Sequence, residues 1–154
     1  ELVQQYANNR GMDDYMWDTT DAIIKNPKRT SRILSEIAKC CVSHGKADYA
    51  LDFAKRLAKD SKSNGKVMRE LVKSDWFAMQ FVVAKSNKSD EEALRLSAKY
   101  CANFPYYERS LQLAKYLKAN SKTTCKVMVE LSNSKFKKVV SIGHHWIEKR
   151  LRKD

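Results

Sequence analysis

The stretch FAKRLAKDSKSNGKVMRELVKSDWF, Phe53 to Phe77, decides the fold, because it recurs sixty residues later as LAKYLKANSKTTCKVMVELSNSKFK, Leu113 to Lys137. The two copies align without a gap and agree at 11 of 25 positions, so the chain is assembled from repeats of one unit. The same offset superposes the stretch from Ile23 on the stretch from Val83. A shorter unit lies inside the long period. It begins at Lys25, Lys59, Lys85 and Ala119, separated by 34, 26 and 34 residues, so two alternating sub-repeats make each 60-residue block.

Aligned columns of the four units show helix periodicity. One column reads Ile33, Val67, Ala93, Val127, the next Leu34, Met68, Leu94, Met128, and three residues on comes Ile37, Leu71, Ser97, Leu131. Such spacing makes the apolar stripe of a helix leaving the turn. A second helix leads into the turn, with Thr19, Phe53, Met79, Leu113 in one column and Ile23, Leu57, Val83, Leu117 four residues later. Asn26-Pro27 stops the first leading helix, since Pro lacks the next amide and restricts its predecessor. Ser89 with Glu92 reads as a capping box, with Ser63 and Thr123 at the position equivalent to Ser89. Further breaks are expected at His44-Gly45, Asn103-Phe104-Pro105 and Asn133-Ser134. The expected fold is all-α: a short α-solenoid of about eight helices in antiparallel pairs, with a compact bundle as its competitor.

Composition agrees. The chain has 154 residues, 43% apolar and 31% charged, enough for one domain spanning 1–154, with 135–154 expected to form a basic C-terminal capping helix. Four Gly and two Pro are too few for a turn-rich β-sandwich or barrel. No apolar run approaches the roughly 18 to 20 residues of a membrane span, and the first residues lack the basic start and apolar centre of a signal peptide. No membrane partner is therefore expected. A start at Glu1 rather than Met is expected of a trimmed chain or a piece of a longer one. Cys40, Cys41, Cys101 and Cys125 form no C-x-x-C pair and have no His at zinc-ligand spacing, which predicts free buried thiols in a reducing, intracellular compartment, cytoplasmic or nuclear.

The segment AIIKNPKRTSRILSEIAK, Ala22 to Lys39, resembles variant leucine-rich and HEAT-like helical repeats through Asn26, Pro27 and Thr30. The other three copies, DSKSN, SNKSD and NSKTT, lack the Pro. HGKADYALDFAKRLAK from His44 is similar to tetratricopeptide-type repeats at Gly45, Ala50 and Leu51. These resemblances, over residues 15 to 140 or so, imply a helical repeat fold of the kind that mostly serves as a binding scaffold.

The charge, 30 Lys+Arg against 18 Asp+Glu for a net +12, follows the same columns. Before each second helix stand Lys28, Lys62, Lys88 and Lys122. Four residues on come Arg32, Lys66, Glu92 and Lys126, then Ser35, Arg69, Arg95 and Val129, then Lys39, Lys73, Lys99 and Asn133. Twelve of the sixteen are bases, where the overall content of 30 in 154 predicts about three. Steps of 0, 4, 7 and 11 fall on one helix face. The exposed face of any basic helical protein is also rich in Lys, so a solvated surface remains the competing explanation. In three of the four units, however, two cations flank a helix start where the macrodipole is already positive, an arrangement suited to an anion. Lys25, Lys59 and Lys85 close the leading helices and sit where the dipole favours them.

The expected function is a non-enzymatic module whose ridge contacts DNA or RNA phosphates through Lys28, Arg32, Lys39, Lys62, Lys66, Arg69, Lys73, Lys88, Arg95, Lys99, Lys122 and Lys126. A scaffold for an acidic protein partner is the alternative. Trp146, beside His144 and His145 in the basic C-terminal stretch, reads as a core anchor first and a base-stacking group second. Tyr106 and Tyr107 open a helix, as a packed start or an exposed patch. Neither metal nor other cofactor is expected, and no catalytic motif stands out. Asp75-Trp76 and Asp13 to Trp17 place carboxylates beside aromatics, which is reminiscent of HEAT-like DNA glycosylases at the level of fold analogy alone. Cys40-Cys41 followed by His44 reads as helix packing.

Overall fold

The computed structural model describes residues 13–43 and 47–153, and among them every regular element is helical. The helices are α1 (Asp13–Lys25), α2 (Ser31–Ser43), α3 (Ala47–Lys59), α4 (Gly65–Leu71), α5 (Phe77–Lys85), α6 (Glu91–Asn103), α7 (Tyr107–Ala119), α8 (Cys125–Met128) and α9 (Lys137–Lys153). A 3₁₀ segment, Val129–Asn133, extends α8. The expected break at His44-Gly45 lies outside the described residues. Those at Asn103-Phe104 and Asn133-Ser134 fall where α6 and the 3₁₀ segment end.

Odd and even helices form separate layers. In the odd layer α3 touches α5, α5 touches α7 and α7 touches α9, while α2, α4, α6 and the α8 segment stack in the same way in the even layer. Trp17 of α1 stacks on Phe53 and Tyr49 of α3, 4.9 and 6.0 Å between centroids, placing α1 beside α3. The columns Leu34, Met68, Leu94, Met128 and Ile37, Leu71, Ser97, Leu131 are buried between the layers. Val67, Ala93 and Val127 are buried too, whereas Ile33 of the same column is 40% exposed. No described even helix precedes α2 to pack on Ile33 from that side. In α1 the register also slips by one residue: Thr20 and Ile24 are buried, while Thr19 and Ile23 remain half-buried.

One turn recurs at each odd-to-even connection. Asn26, Asp60, Ser86 and Asn120 each accept, through the side chain, the amide of the Lys two residues on (Lys28, Lys62, Lys88, Lys122) at 2.9 to 3.1 Å. Their carbonyls accept the amide three residues on, closing a β-turn. Ser89 and Thr123 then donate their hydroxyls back to the carbonyls of Val83 and Leu117. That bond corrects the expected capping box. The Ser89 hydroxyl is committed to the preceding helix and Glu92 to Arg95, and the helix is capped one residue later by Asp90, whose Oδ1 accepts the Ala93 amide at 2.8 Å. Asn64 caps α4 in the same way, accepting the amides of Lys66 and Val67.

Successive turns are also stitched to one another. Arg29 donates to both oxygens of Asp60 at 2.8 and 2.9 Å. Ser86 Oγ donates to the Ala58 carbonyl, and Asn120 Nδ2 to the carbonyls of Ala84 and Ser86. At the far end α9 packs on the α8 segment through Gly143, where a Cβ would sit 2.8 Å from the Met128 carbonyl. Only glycine lets the two backbones approach this closely.

Three cysteines behave as small core residues. Cys40, Cys41 and Cys101 are buried thiols, and burial pushes those of Cys40 and Cys101 up to about 11 and raises that of Cys41 as well. Cys125 is free and half-buried, differing from the expectation of full burial because it opens a short helix at the turn edge.

Candidate nucleic-acid interface

The twelve ridge bases lie on the even helices or on the turns leading into them, except Lys73, which follows the end of α4, and their electrostatic surroundings differ. Lys39 Nζ lies 3.1 Å from Glu36, and Lys73 Nζ lies 3.1 Å from Glu70, each one helical turn back. Other pairs cross between repeats: Arg69 of α4 reaches Asp90 at 3.3 Å, Arg95 of α6 reaches Glu130 at 3.2 Å, and Lys126 of α8 approaches Glu91 at 3.9 Å. Arg95 also holds Glu92 at 2.9 Å, and its hydrogen bonds keep that carboxyl below the usual range. Lys62 folds back along the turn edge, donating to the carbonyls of Pro27 and Arg29 at 2.7 and 3.0 Å.

Six bases remain with no side-chain hydrogen bond or ion pair among the described residues: Lys28, Arg32, Lys66, Lys88, Lys99 and Lys122. Lys99 stands at the opposite end of the layer, beside the shallow cleft formed with Lys73, Asp75 and Tyr100. The other five cluster on the turns and the first turn of the even helices. The ridge inferred from the columns is therefore two surfaces. One set, Lys39, Arg69, Lys73, Arg95 and Lys126, is paired with carboxylates, and the other, gathered mainly along the turn edge, has none.

A further basic cluster, absent from the column arithmetic, adjoins this edge. Lys118 near the end of α7 meets His145, Trp146, Lys149, Arg150 and Lys153 of α9 around a depression of about 150 Å³. The odd helices run parallel, so their C-terminal ends share the edge that carries the turns. Trp146 is half-buried against the core cluster that holds Val139 and Leu131, as a core anchor would be, and Arg150 lies over its ring at 5.4 Å. His144 and His145 are exposed. Among the described residues no three His, Cys, Asp or Glu side chains are grouped to hold a metal. The basic end of α9 was readable as a run, but its meeting with Lys118 depends on packing between repeats.

The aromatic positions resolve as follows. Tyr106 is 66% exposed at the start of α7, whereas Tyr107 packs edge-on against Phe136 at 5.3 Å. The backbone carbonyl of Asp75 accepts the Tyr100 hydroxyl at 3.0 Å, and Trp76 stands partly exposed beside it. The side chains of Asp13 and Asp14 lie outside the described residues, while Trp17 is buried in the α1–α3 seam. No helix among the described residues is long and apolar enough to cross a membrane.

Against known proteins, no family model, no curated protein and no solved structure matches this chain.

Proposed function

We propose that the chain is a non-enzymatic helical-repeat module that binds DNA or RNA by its phosphates along the turn edge. The observation that carries this reading is the set of unpaired cations, Lys28, Arg32, Lys66, Lys88 and Lys122, repeated by one turn geometry. An unpaired Lys in a uniform turn is held by its backbone at a fixed place while its ammonium remains available. Successive repeats then present ammonium groups in a row, which matches a polymer of regularly spaced anions better than an isolated anion. The Lys118–Trp146–Lys153 cluster extends the row at one end.

Binding by such a row is electrostatic and largely indifferent to base identity, because phosphate contacts position the ligand without reading sequence. Each phosphate neutralised releases condensed counterions, so affinity falls steeply with salt. The repeat scaffold supplies rigidity, to which the ion pairs that cross between helices, Arg69–Asp90, Arg95–Glu130 and Lys126–Glu91, contribute.

Fluorescence anisotropy with labelled single-stranded and duplex oligonucleotides tests this directly. Between about 50 and 200 mM salt the affinity should fall by at least tenfold, as counterion release by three or more contacts requires. Absence of binding at the lower salt, or binding that salt leaves unchanged, would overturn the proposal.

A further inference from the structure

The odd layer has four seams, and aromatic side chains fill three of them. Trp17, Tyr49 and Phe53 stack in the α1–α3 seam. Phe81 meets Tyr116 at 5.1 Å between α5 and α7, next to the Phe77–Phe81 and Phe77–Phe104 contacts at 4.2 and 4.8 Å. Tyr107 with Phe136, and Trp146, occupy the α7–α9 side. The α3–α5 seam is different. Ala58 and Ala78 stand where bulk would be needed, and they leave a groove of about 740 Å³ with Leu51, Val82 and Phe81 on its walls.

Its rims are cationic on both sides. Lys55 and Lys59 lie one helical turn apart on α3, and Lys85 closes α5 opposite them, while no carboxylate lines the groove. Lys85 is held in place with its ammonium 4.3 Å above the Tyr116 ring. None of these lysines belongs to the twelve columnar bases, although one end of the groove reaches the turn of Ser86 and Asn87 that leads to Lys88.

We infer that the α3–α5 groove is a docking site for an acidic amphipathic peptide segment of a partner protein. The groove's walls are apolar, so a sugar-phosphate backbone would leave them uncovered, whereas Leu- or Phe-type side chains would fill the missing plug between the repeats. Three cations distributed over two rims match several carboxylates spaced along a chain, and a ligand with one carboxylate would meet only one rim. The occupant therefore carries aliphatic or aromatic anchors flanked by Asp and Glu, with the anchors supplying affinity and the charges orientation.

Selection of random peptides displayed on phage tests the assignment, followed by affinity measurement with the enriched sequences as synthetic peptides. Expected enrichment is for sequences combining apolar anchors with two or more acidic residues. Their affinity should fall at least tenfold in Ala78→Trp, which fills the groove, and also in the doubly exposed Lys55→Glu/Lys85→Glu variant, which keeps the apolar walls. Lys39→Glu should leave it unchanged. Circular dichroism identifies any variant that fails to fold, and the charge variant keeps the test decisive if Ala78→Trp does. Enrichment without acidic residues, no enrichment, or peptide affinity that either folded groove variant leaves at the wild-type level would overturn the inference. So would loss of oligonucleotide binding in Ala78→Trp, which would assign the groove to the phosphate-binding surface instead.

Discussion

Lys28 and Arg29 are neighbours in the same turn, yet they have opposite fates. Arg29 turns inward and forms a two-point ion pair with Asp60 of the next turn, with side chains 18% and 6% exposed, whereas Lys28 points to solvent without a partner. The same division runs through the ridge, between the carboxylate-paired bases Lys39, Arg69, Lys73, Arg95 and Lys126 and the unpaired ones along the turn edge. A basic residue's column in the repeat does not settle its role; what settles it is whether an acid reaches it from one helical turn back or from the next repeat. The pairs of Arg29, Arg69, Arg95 and Lys126 link successive repeats, those of Lys39 and Lys73 stay within one repeat, and unpaired bases are left for a ligand.

Breaking the most buried of these pairs should have the largest effect. Burial opposes the charge on Asp60, but hydrogen bonds from Arg29 and the Lys62 amide outweigh it and hold the carboxyl below its ordinary 3.8. Asp60→Ala removes both partners' acceptor and should lower the unfolding free energy by about 2 to 3 kcal/mol in urea titrations near neutral pH. Asp60→Asn keeps the turn bond, since Asn26 and Asn120 make it in the equivalent turns, and should therefore cost less. Because the folded-state pKa is depressed, the stability from this carboxylate is fully present above 3.8 and is lost as pH falls through the lower folded value. The gap between wild type and Asp60→Asn should accordingly narrow in acid. A gap independent of pH would show that the ion pair contributes nothing beyond the turn.

Reversing unpaired cations should separate the two halves of the ridge. Lys28→Glu/Lys66→Glu/Lys122→Glu is expected to weaken oligonucleotide binding about thirtyfold and to reduce the salt slope by about 2 to 3, one phosphate contact being lost per lysine. Its melting temperature should barely move, since no intramolecular partner is lost. Lys39→Glu/Lys73→Glu should do the converse, weakening binding less than about threefold while leaving Glu36 and Glu70 each facing a new like charge. Equal effects of the two variants on binding would erase the distinction between the surfaces.

Much of the scaffold was legible because it is local. Periodic burial of Leu34, Met68, Leu94 and Met128 needs only the helical repeat, and the turns announce themselves through Asn, Asp or Ser followed two residues later by Lys. The neutralised part of the ridge was half legible. Glu36 and Glu70 precede Lys39 and Lys73 by three residues, while Leu96 occupies that place before Lys99, and Lys99 is the unpaired member. The pairs of Arg69 with Asp90 and of Arg95 with Glu130 join residues of different helices and become visible only when the repeats are stacked. So does the α3–α5 groove, which exists because small residues from two helices face each other.

The smallest effect concerns the helix starts, where the four repeats look interchangeable in sequence but are not. Asn64 accepts two amides of α4, whereas Thr124, in the same place before α8, makes no capping bond, and its buried hydroxyl has no partner. Replacing a capping Asn removes an acceptor for otherwise orphaned amides, so Asn64→Ala should cost about 1 kcal/mol. Thr124→Val keeps the β-branched shape and removes a hydroxyl already deprived of water and of a partner, and should be neutral or slightly stabilising. Measuring both by urea unfolding compares two copies of one unit at the same position. A loss at Thr124 as large as that at Asn64 would mean that its hydroxyl caps α8 in solution, making the two turns electrostatically alike; the expected inequality instead makes the Thr124 turn the less tightly capped of the two, although it too carries an unpaired lysine, Lys122.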